Sequence, residues 1–533
     1  MQYLLTAEQM RAADTATSER FGVPPIVLME RAALSLADEV MKNAAPDADI
    51  IIAAGSGNNG ADGLAAGRIL CERGMHVRFY CSLVQGDGTV SSRKTTESMK
   101  TQLSILRAYG YKAHPLEELS SSGGETPDII VDSIFGIGLS REPEGQFAGA
   151  ISAVNRMREL GAKVISCDIP SGLNADTGRP MGGCCPVCAD ITVCMGFIKR
   201  GEMLYPGARY CGKIVRADIG IPKRSLCGEP LLFCYDTESE ADLLPARRPD
   251  GNKGTFGKLS VFAGSNCMSG AALLCSEAAY RNGCGMVRVV TDEANRVIVQ
   301  SSLPEALLTT YVPADPESIR RAVHAAVSFA DTLCAGPGIG RTEAAGIMLS
   351  EILRVCAESK GRFRALVLDA DALRLIAASQ EMEEQMTAAA GACNVILTPH
   401  LAECADLLHV SIKTLSDDLF RLLKQYADSH HCTILCKSAR SVAVSCNRDK
   451  IYLNVSGNSG LSTAGSGDVL AGMTTAFAAV MEDPFAAVCA ASWLHGRRAE
   501  SLSAQEGERS VLASDLFRGV RRLGLSGGGS SIG

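Results

Sequence analysis

Short apolar runs that end in glycine or aspartate recur along this chain, and the stretches between them have helical length. Lys258 to Ala263, Met286 to Thr291, Thr332 to Cys334, Ala365 to Leu368, Asn394 to Leu397 and Thr433 to Cys436 are such runs in the second half. Ile50 to Ala54, Ile129 to Val131 and Lys163 to Cys167 follow the same pattern in the first half, and Ile191 to Phe197 with Lys213 to Ile219 extends it. Continuous apolar strands alternating with helices predict mostly parallel sheets covered on both faces. The expected fold class is therefore α/β, with a Rossmann-like three-layer domain first and a second α/β domain after it. Ser441 to Ser445 and Ile451 to Val455 read instead as a hairpin at one edge of the second sheet. Residues 3–43 read as largely helical, with Thr6 followed by Glu8 and Gln9 near a start and an apolar stripe through Ile26, Leu28, Met29, Ala32 and Leu36.

A chain of 533 residues is too long for one ordinary core. Periodicity fades from Pro222 to Asp250, where Pro245, Arg247, Arg248 and Pro249 accumulate. The expected organisation is a domain over residues 1–221, a linker over 222–249, a second domain over 250–524 and a disordered Gly/Ser-rich tail over 525–533. A net charge of −7 without a long basic run disfavours nucleic acid or an anionic membrane as the principal partner. Met1 to Met10 has no signal-peptide pattern, and the apolar stretch from Ala476 to Trp493 is broken by Glu482, Asp483 and Pro484, so a soluble cytoplasmic protein is expected. The cysteines, 21 in all, are scattered and several lie inside strand-like runs, so they read as small buried hydrophobes in a reducing compartment. Cys185-Pro186-Val187-Cys188, with Cys184 and Cys194 nearby, has the spacing of half a zinc site, but no second pair follows.

In an open α/β sheet the carboxyl ends of the strands carry the site. The first such end is Gly55-Ser56-Gly57-Asn58-Asn59-Gly60-Ala61-Asp62-Gly63. It satisfies the dinucleotide spacing, yet Phe79, Tyr80 and Cys81 stand where a ribose-binding acid belongs, which disfavours an ordinary dehydrogenase. Asn58, Asn59 and Asp62 suit instead a ligand's phosphates, amide or hydroxyls, or a monovalent cation. Asp132 and Asp168-Ile169-Pro170-Ser171 end two further strands; each aspartate read alone could be a turn or helix cap. Lys199 reads more readily as a solvated lysine than as a phosphate contact. In the second half Asp369 and Asp371 follow one strand, His400 and Glu403 another, and Lys437 a third. Gly465-Ser466-Gly467-Asp468 then runs into a helix of small residues, so the N–H groups of Gly465 to Gly467 are expected to form an anion site beside the Asp468 carboxylate.

Several of these stretches also match known families in order. Lys253-Gly254-Thr255-Phe256-Gly257, Ala263-Gly264-Ser265 with Ser269-Gly270-Ala271, Gly336-Pro337-Gly338-Ile339-Gly340, Leu368-Asp369-Ala370-Asp371, Thr398-Pro399-His400 and Gly465-Ser466-Gly467-Asp468 resemble the NAD(P)H-hydrate dehydratases of the ribokinase-like superfamily. Leu28-Met29-Glu30, Gly57 to Gly63, Val131-Asp132 with Phe135 to Gly138, and Asp168 to Gly172 resemble the NAD(P)H-hydrate epimerases. The resemblance implies a bifunctional repair enzyme in which the epimerase interconverts R and S hydrates and the dehydratase returns the S form to NAD(P)H. It implies substrate contacts at Asn58, Asn59, Gly60, Ala61 and Asp62, at Gly136, Ile137, Gly138, Leu139, Ser140 and Arg141, and at Asp168. In the second domain it implies substrate contacts at Ala271, Gly340, His400 and Asp468, and adenine-nucleotide contacts at Lys437, Ser438, Ala439, Arg440, Ser441 and Gly467. Asn59, Asp132 and Ser171 would hold K+, Mg2+ would accompany the phosphoryl chemistry, and ADP is the expected co-substrate because the fused arrangement resembles the bacterial type. A homo-oligomer is expected. Ser438 stands where the family usually has glycine, Ser466 where it often has threonine, and Asn252 where a histidine often precedes the Lys-Gly pair.

The catalytic groups expected on chemical grounds are Asp168, as acid/base for the hydrate's carbinol, and Asp468, as base for phosphorylation of that hydroxyl. Two other functions fit the same motifs: a ribokinase-type small-molecule kinase for the second domain, and a non-catalytic ligand-binding module for the first.

Overall fold

A computed structural model describes residues 1–91, 95–121, 126–183, 185–226, 228 and 231–517 of the chain. The expected tail lies outside these residues, as does Cys184. The chain divides into two compact units between Leu232 and Phe233, inside the stretch expected as a linker. That stretch holds a strand, Leu232–Cys234, and two 3-10 turns, Lys223–Ser225 and Thr237–Asp242, the second capped by Asp236.

The first unit opens with a short strand, Gln2–Leu5, ahead of the helices Ala7–Glu19 and Pro25–Asn43. The helical pattern read over residues 3–43 thus begins one element late. Thr6 caps the first helix, its side chain accepting from Gln9 N while Gln9 caps Thr6 in return. A parallel sheet runs in the order Ala113–Pro115, His76–Cys81, Asp49–Ala54, Ile129–Ser133, Lys163–Cys167, Ile191–Met195, Lys213–Ala217. Its order reverses between Asp49–Ala54 and Ile129–Ser133, and the loops after these strands therefore open a crevice. Helix Asn58–Glu72 lies across this point because Gly63 and Gly67 permit it: a Cβ on Gly63 would stand 2.0 Å from Ser133 Oγ, and one on Gly67 2.4 Å from the Phe79 ring.

The second unit repeats the principle. Its parallel strands run Leu307–Tyr311, Met286–Asp292, Lys258–Phe262, Thr332–Ala335, Ala365–Leu368, Asn394–Leu397, Thr433–Cys436. The hairpin Val442–Ser445 and Arg448–Leu453 adds to them antiparallel, where the sequence places it. The order reverses between Lys258–Phe262 and Thr332–Ala335. Helix Ser466–Val480 is buried over most of its length, packed on helices Ser269–Arg281 and Pro484–Glu506, as an almost wholly apolar helix requires. Among the described residues no helix is long and apolar enough to cross a membrane.

Close approach of Ser466–Val480 to Ser269–Arg281 depends on Gly472, where a Cβ would fall 2.1 Å from the Cys275 carbonyl oxygen. Gly472→Ala is expected to destabilise the second unit by about 1–3 kcal/mol through overpacking. Gly270→Ala, which meets nothing within 4 Å, should leave the urea midpoint of that unit unchanged or slightly raised. Equal midpoints for the two variants would contradict this packing.

Candidate active sites

In the first unit the strand ends enclose a cavity of about 510 Å³. Asn58, Asn59, Asp62, the run Gly136 to Arg141 and Asp168 all line it, so the glycine loop, the second loop and the strand-end aspartate converge. Gly60 and Ala61 do not line it; they are buried in the first helical turn, and Ala61 belongs to the hydrophobic core. Gly57 caps helix Asn58–Glu72 without a side-chain bond, which leaves the first amides of that helix open toward the cavity. Leu28, Met29, Ile219 and Ile221 supply apolar lining, and Arg11 and Asp14 add charged groups to it.

The carboxylates here are crowded. Burial pushes the Asp62 carboxyl well up, and Asp168 and Asp14 push it further. Asp14 rises for the same two reasons, desolvation first and Asp168 second. Asp168 itself sits at φ 68°, a left-handed conformation that a non-glycine residue holds only when its surroundings fix it. Its N–H donates to Val193 O at 2.8 Å, and its Oδ1 accepts from Met195 N at 3.2 Å and from Lys199 Nζ at 2.7 Å. The expectation of a solvated Lys199 is therefore overturned: the side chain is 0% exposed and neutralises Asp168. An ammonium can be buried this deeply only where carboxylates compensate it.

Asp132 is fully buried behind the glycine loop. Strand register sets it beside Ser166, whose Oγ donates to Oδ2 at 2.8 Å, and Ser171 donates twice, from N at 2.9 Å and Oγ at 2.6 Å. Desolvation still pushes its carboxyl up against these hydrogen bonds. Both polar atoms of the Asn59 amide are shut off from solvent and have no hydrogen-bond partner among the described residues. The side chains of Asn59, Asp132 and Ser171 all carry oxygen, the donor type that a hard monovalent cation prefers. Among the described residues no group of three His, Cys, Asp or Glu could hold a metal ion.

In the second unit the loops after Lys258–Phe262 and Thr332–Ala335 brace one another at the switch point. Gly264 N donates to Pro337 O at 2.8 Å, and Gly340 N donates to Asp371 Oδ2 at 2.9 Å. Ala271 opens the helix beside them, its Cβ within 2.8 Å of where a Cβ on Gly338 would sit. Asp369 is 1% exposed and pairs with Lys437, Nζ to Oδ1 at 2.6 Å. Gly467 lies against this pair, since a Cβ there would stand 3.4 Å from Lys437 Nζ and 3.9 Å from Asp369 Oδ2. Gly465, at φ 90°, turns the chain into helix Ser466–Val480. Of the three amides expected to be open, Ser466 N donates to Thr463 O at 3.3 Å, which leaves the anion site to its neighbours. The Asp468 carboxyl is pushed up to about 6 by burial and by repulsion from Asp369 and Asp371, against the attraction of Lys437.

His400 caps helix Leu401–Leu407, its Nδ1 accepting from Ala402 N and Glu403 N at 3.2 Å. Its ring remains half-exposed, and Glu403 beneath it is pushed up by burial. Lys437 to Ser441 form a turn tied by its own hydroxyls: Ser438 Oγ donates to Arg440 O at 2.8 Å, and Ser441 Oγ to Ser438 O at 3.2 Å. Sequence reasoning did not single out His495. It is buried on helix Pro484–Glu506 with Nε2 lacking a partner among the described residues, and burial, Arg498 and Lys437 hold it neutral, its pKa lowered to about 3.

Residues 259–522 match the family model for NAD(P)H-hydrate dehydratase, and residues 25–201 the model described as the N-terminus of YjeF-related proteins. The bifunctional NAD(P)H-hydrate repair enzyme Nnr of Moorella thermoacetica is 31% identical over 97% of this chain and 95% of its own length. The enzyme of the same name from Escherichia coli is 28% identical over 97% and 93%. Among solved structures, an ADP/ATP-dependent NAD(P)H-hydrate dehydratase from Bacillus subtilis covers 54% of this chain and 95% of its own, at 28% identity and a TM-score of 0.45. With both halves accounted for in order along nearly the whole length, the chain belongs to the bifunctional NAD(P)H-hydrate repair enzymes.

Proposed function

We propose that the first unit exchanges R and S forms of NAD(P)H hydrate in the cavity lined by Asp168, and that the second dehydrates the S form at the expense of ADP. The observation that carries the second assignment is the placement of Asp468 at an open helix N-terminus, with Lys437 beside Gly467. The helix amides and the lysine attract the transferring phosphoryl group, and Asp468 takes the proton of the carbinol hydroxyl. ADP gives up its terminal phosphoryl group to that oxygen and departs as AMP. The ring nitrogen's lone pair then expels phosphate, and loss of the neighbouring proton restores the double bond. Ala271, Gly340 and His400 contact the hydrate, and the turn Lys437 to Ser441 with Gly467 contacts the nucleotide. Mg2+ bound with the nucleotide would supply the charge that neutralises the developing phosphate.

For the epimerase, the reading rests on Asp168 opening into the cavity with its backbone held in a strained conformation. Asp168 moves the proton at the carbinol hydroxyl as the hydroxyl leaves and returns, or as the ring opens and recloses. Asn58, Asp62 and the loop Gly136 to Arg141 position the dinucleotide. K+ fits the donor set of Asn59, Asp132 and Ser171, because it would relieve the buried Asp132 carboxylate and engage the Asn59 oxygen that has no other partner. Bound there, it would tie the glycine loop to the sheet.

Recovery of NADH absorbance from a mixed R and S hydrate tests both activities together. Complete recovery is expected with ADP and Mg2+, at a rate above spontaneous epimerisation once the S form is exhausted. Absence of recovery with either ADP or ATP would remove the dehydratase assignment. Asp468→Asn should lower dehydration by about 10²–10⁴-fold. As a base titrating near 6, Asp468 should make the rate fall as pH drops through that value; a rate flat from pH 8 to 5 would assign the proton elsewhere. Replacing K+ by a bulky monovalent cation should slow epimerisation while leaving dehydration of pure S hydrate unchanged, and equal loss of both would contradict the assigned K+ site.

A further inference from the structure

Lys199 is absent from the cavity lining and yet is the charge that stands behind it. Its Nζ lies 2.7 Å from Asp168 Oδ1, 2.9 Å from Cys194 Sγ and 3.5 Å from Glu202 Oε2. Glu202 is itself fully buried, and its Oε2 accepts the Lys199 N–H at 2.6 Å. The strand Ile198–Lys199 is fixed by parallel pairing with Gln2–Leu5, which registers Lys199 against Leu5. One ammonium thus serves two carboxylates while itself closed off from solvent, and an excess negative charge there is expensive. The surplus falls on Glu202, whose carboxyl burial pushes up to about 7, and whose Oε1 has no hydrogen-bond partner among the described residues.

Around Asp168 the other titratable groups bring it no positive charge. Asp62 and Asp14 face it with like charge, and the thiols of Cys167 and Cys194 are held neutral by burial. Arg11, at the same cavity, points to the Ile137 carbonyl instead. Among the described residues Lys199 is the cation that bonds Asp168, and it takes Oδ1 only. No described donor reaches Oδ2, so that oxygen is left for a ligand in the cavity.

We propose that Lys199 is the positioning residue of the epimerase site: it keeps Asp168 ionised and turned so that Oδ2 meets the substrate, while Glu202 anchors Lys199 from behind. This inference rests on the reading of Asp168 as the acid/base. Lys199 acts through Asp168 and does not touch the hydrate.

The test follows interconversion of separated R and S hydrates by chromatography, with ADP omitted, as a function of pH in the full chain. Lys199→Met should raise the acid limb of the kcat profile by about 1–3 pH units, the shift expected when a contacting opposite charge is removed. KM should change far less than kcat. Glu202→Gln keeps the volume and an acceptor for Lys199 N, and should leave the limb in place or lower it, because a repelling carboxylate is lost. A limb raised in Lys199→Met but not in Glu202→Gln is not produced by loosened packing alone. A Lys199→Met enzyme with the parent limb, or a slower one whose limb has not moved, overturns the inference. So does a raised limb in Glu202→Gln, which decides the matter if Lys199→Met fails to fold. Asp168→Asn separates the two levels: if it epimerises normally, the Asp168 reading fails and takes this inference with it. If it is inactive while Lys199→Met retains the parent profile, only the role of Lys199 is refuted.

Discussion

A buried lysine set against a strand-end aspartate is the interaction on which both sites depend. Parallel strands deliver their carboxyl ends to one edge, and at each switch point that edge here carries several carboxylates. Left alone they would repel one another in a poorly hydrated place and take up protons. Lys199 on Asp168 and Lys437 on Asp369 remove that obstacle, at 2.7 and 2.6 Å. The neighbouring carboxylates keep raised proton affinities: Asp62 in one unit, through burial first, and Asp468 in the other, pushed up to about 6.

The two lysines differ in depth, and the difference fits the chemistry on each side. Lys199 is closed off entirely, so it can tune a neighbour but cannot follow a ligand. Lys437 is 19% exposed on its side chain and sits where a Cβ on Gly467 would all but touch it. A lysine in that position can divide its donors between Asp369 and an incoming phosphate. An epimerase has only to hold one charged group steady, whereas phosphoryl transfer must meet charge that moves. His495 adds to this, since a histidine kept neutral beside Lys437 contributes no second cation to compete for the carboxylates.

Many of the strands and their parallel arrangement were legible because apolar runs ending in glycine or aspartate can do little else than form buried parallel strands. Leu307–Tyr311 escaped because its two threonines and partly exposed leucines break the apolar run expected of a buried strand. Asn58 and Asp168 stood out because a carboxylate or amide follows an apolar strand-like run or its glycine loop, and the structure sets both on one cavity. Lys199 did not, since a lysine's ordinary place is in water and only the tertiary pairing with Asp168 and Glu202 reverses that preference. His495 was hidden for a related reason: within the apolar helix Pro484–Glu506 it reads as one more core position, and the Lys437 it faces is far away in sequence. His400 stands between, because the same ring atom positions that would meet a ligand are partly spent on capping a helix.

The departures from the family pattern can be weighed by what each side chain does with its hydroxyl. Ser466 donates to Leu461 O at 2.8 Å, which closes the loop just ahead of the helix start and leaves the Gly467 and Asp468 backbone in place. Ser438 replaces a residue that is usually glycine, yet it is not at positive φ, so the backbone needs no glycine there. Its hydroxyl accepts from Arg440 N at 3.2 Å and donates to Arg440 O at 2.8 Å, bracing the same turn whose Arg440 reaches Val455 O. A glycine would leave that turn free to adapt to a nucleotide, whereas serine fixes it before binding. Ordering a loop in advance lowers the entropy lost on association. Serine at this position therefore gives the turn a preformed shape, and a ligand that meets it meets a shape already set by the Ser438 and Ser441 hydroxyls.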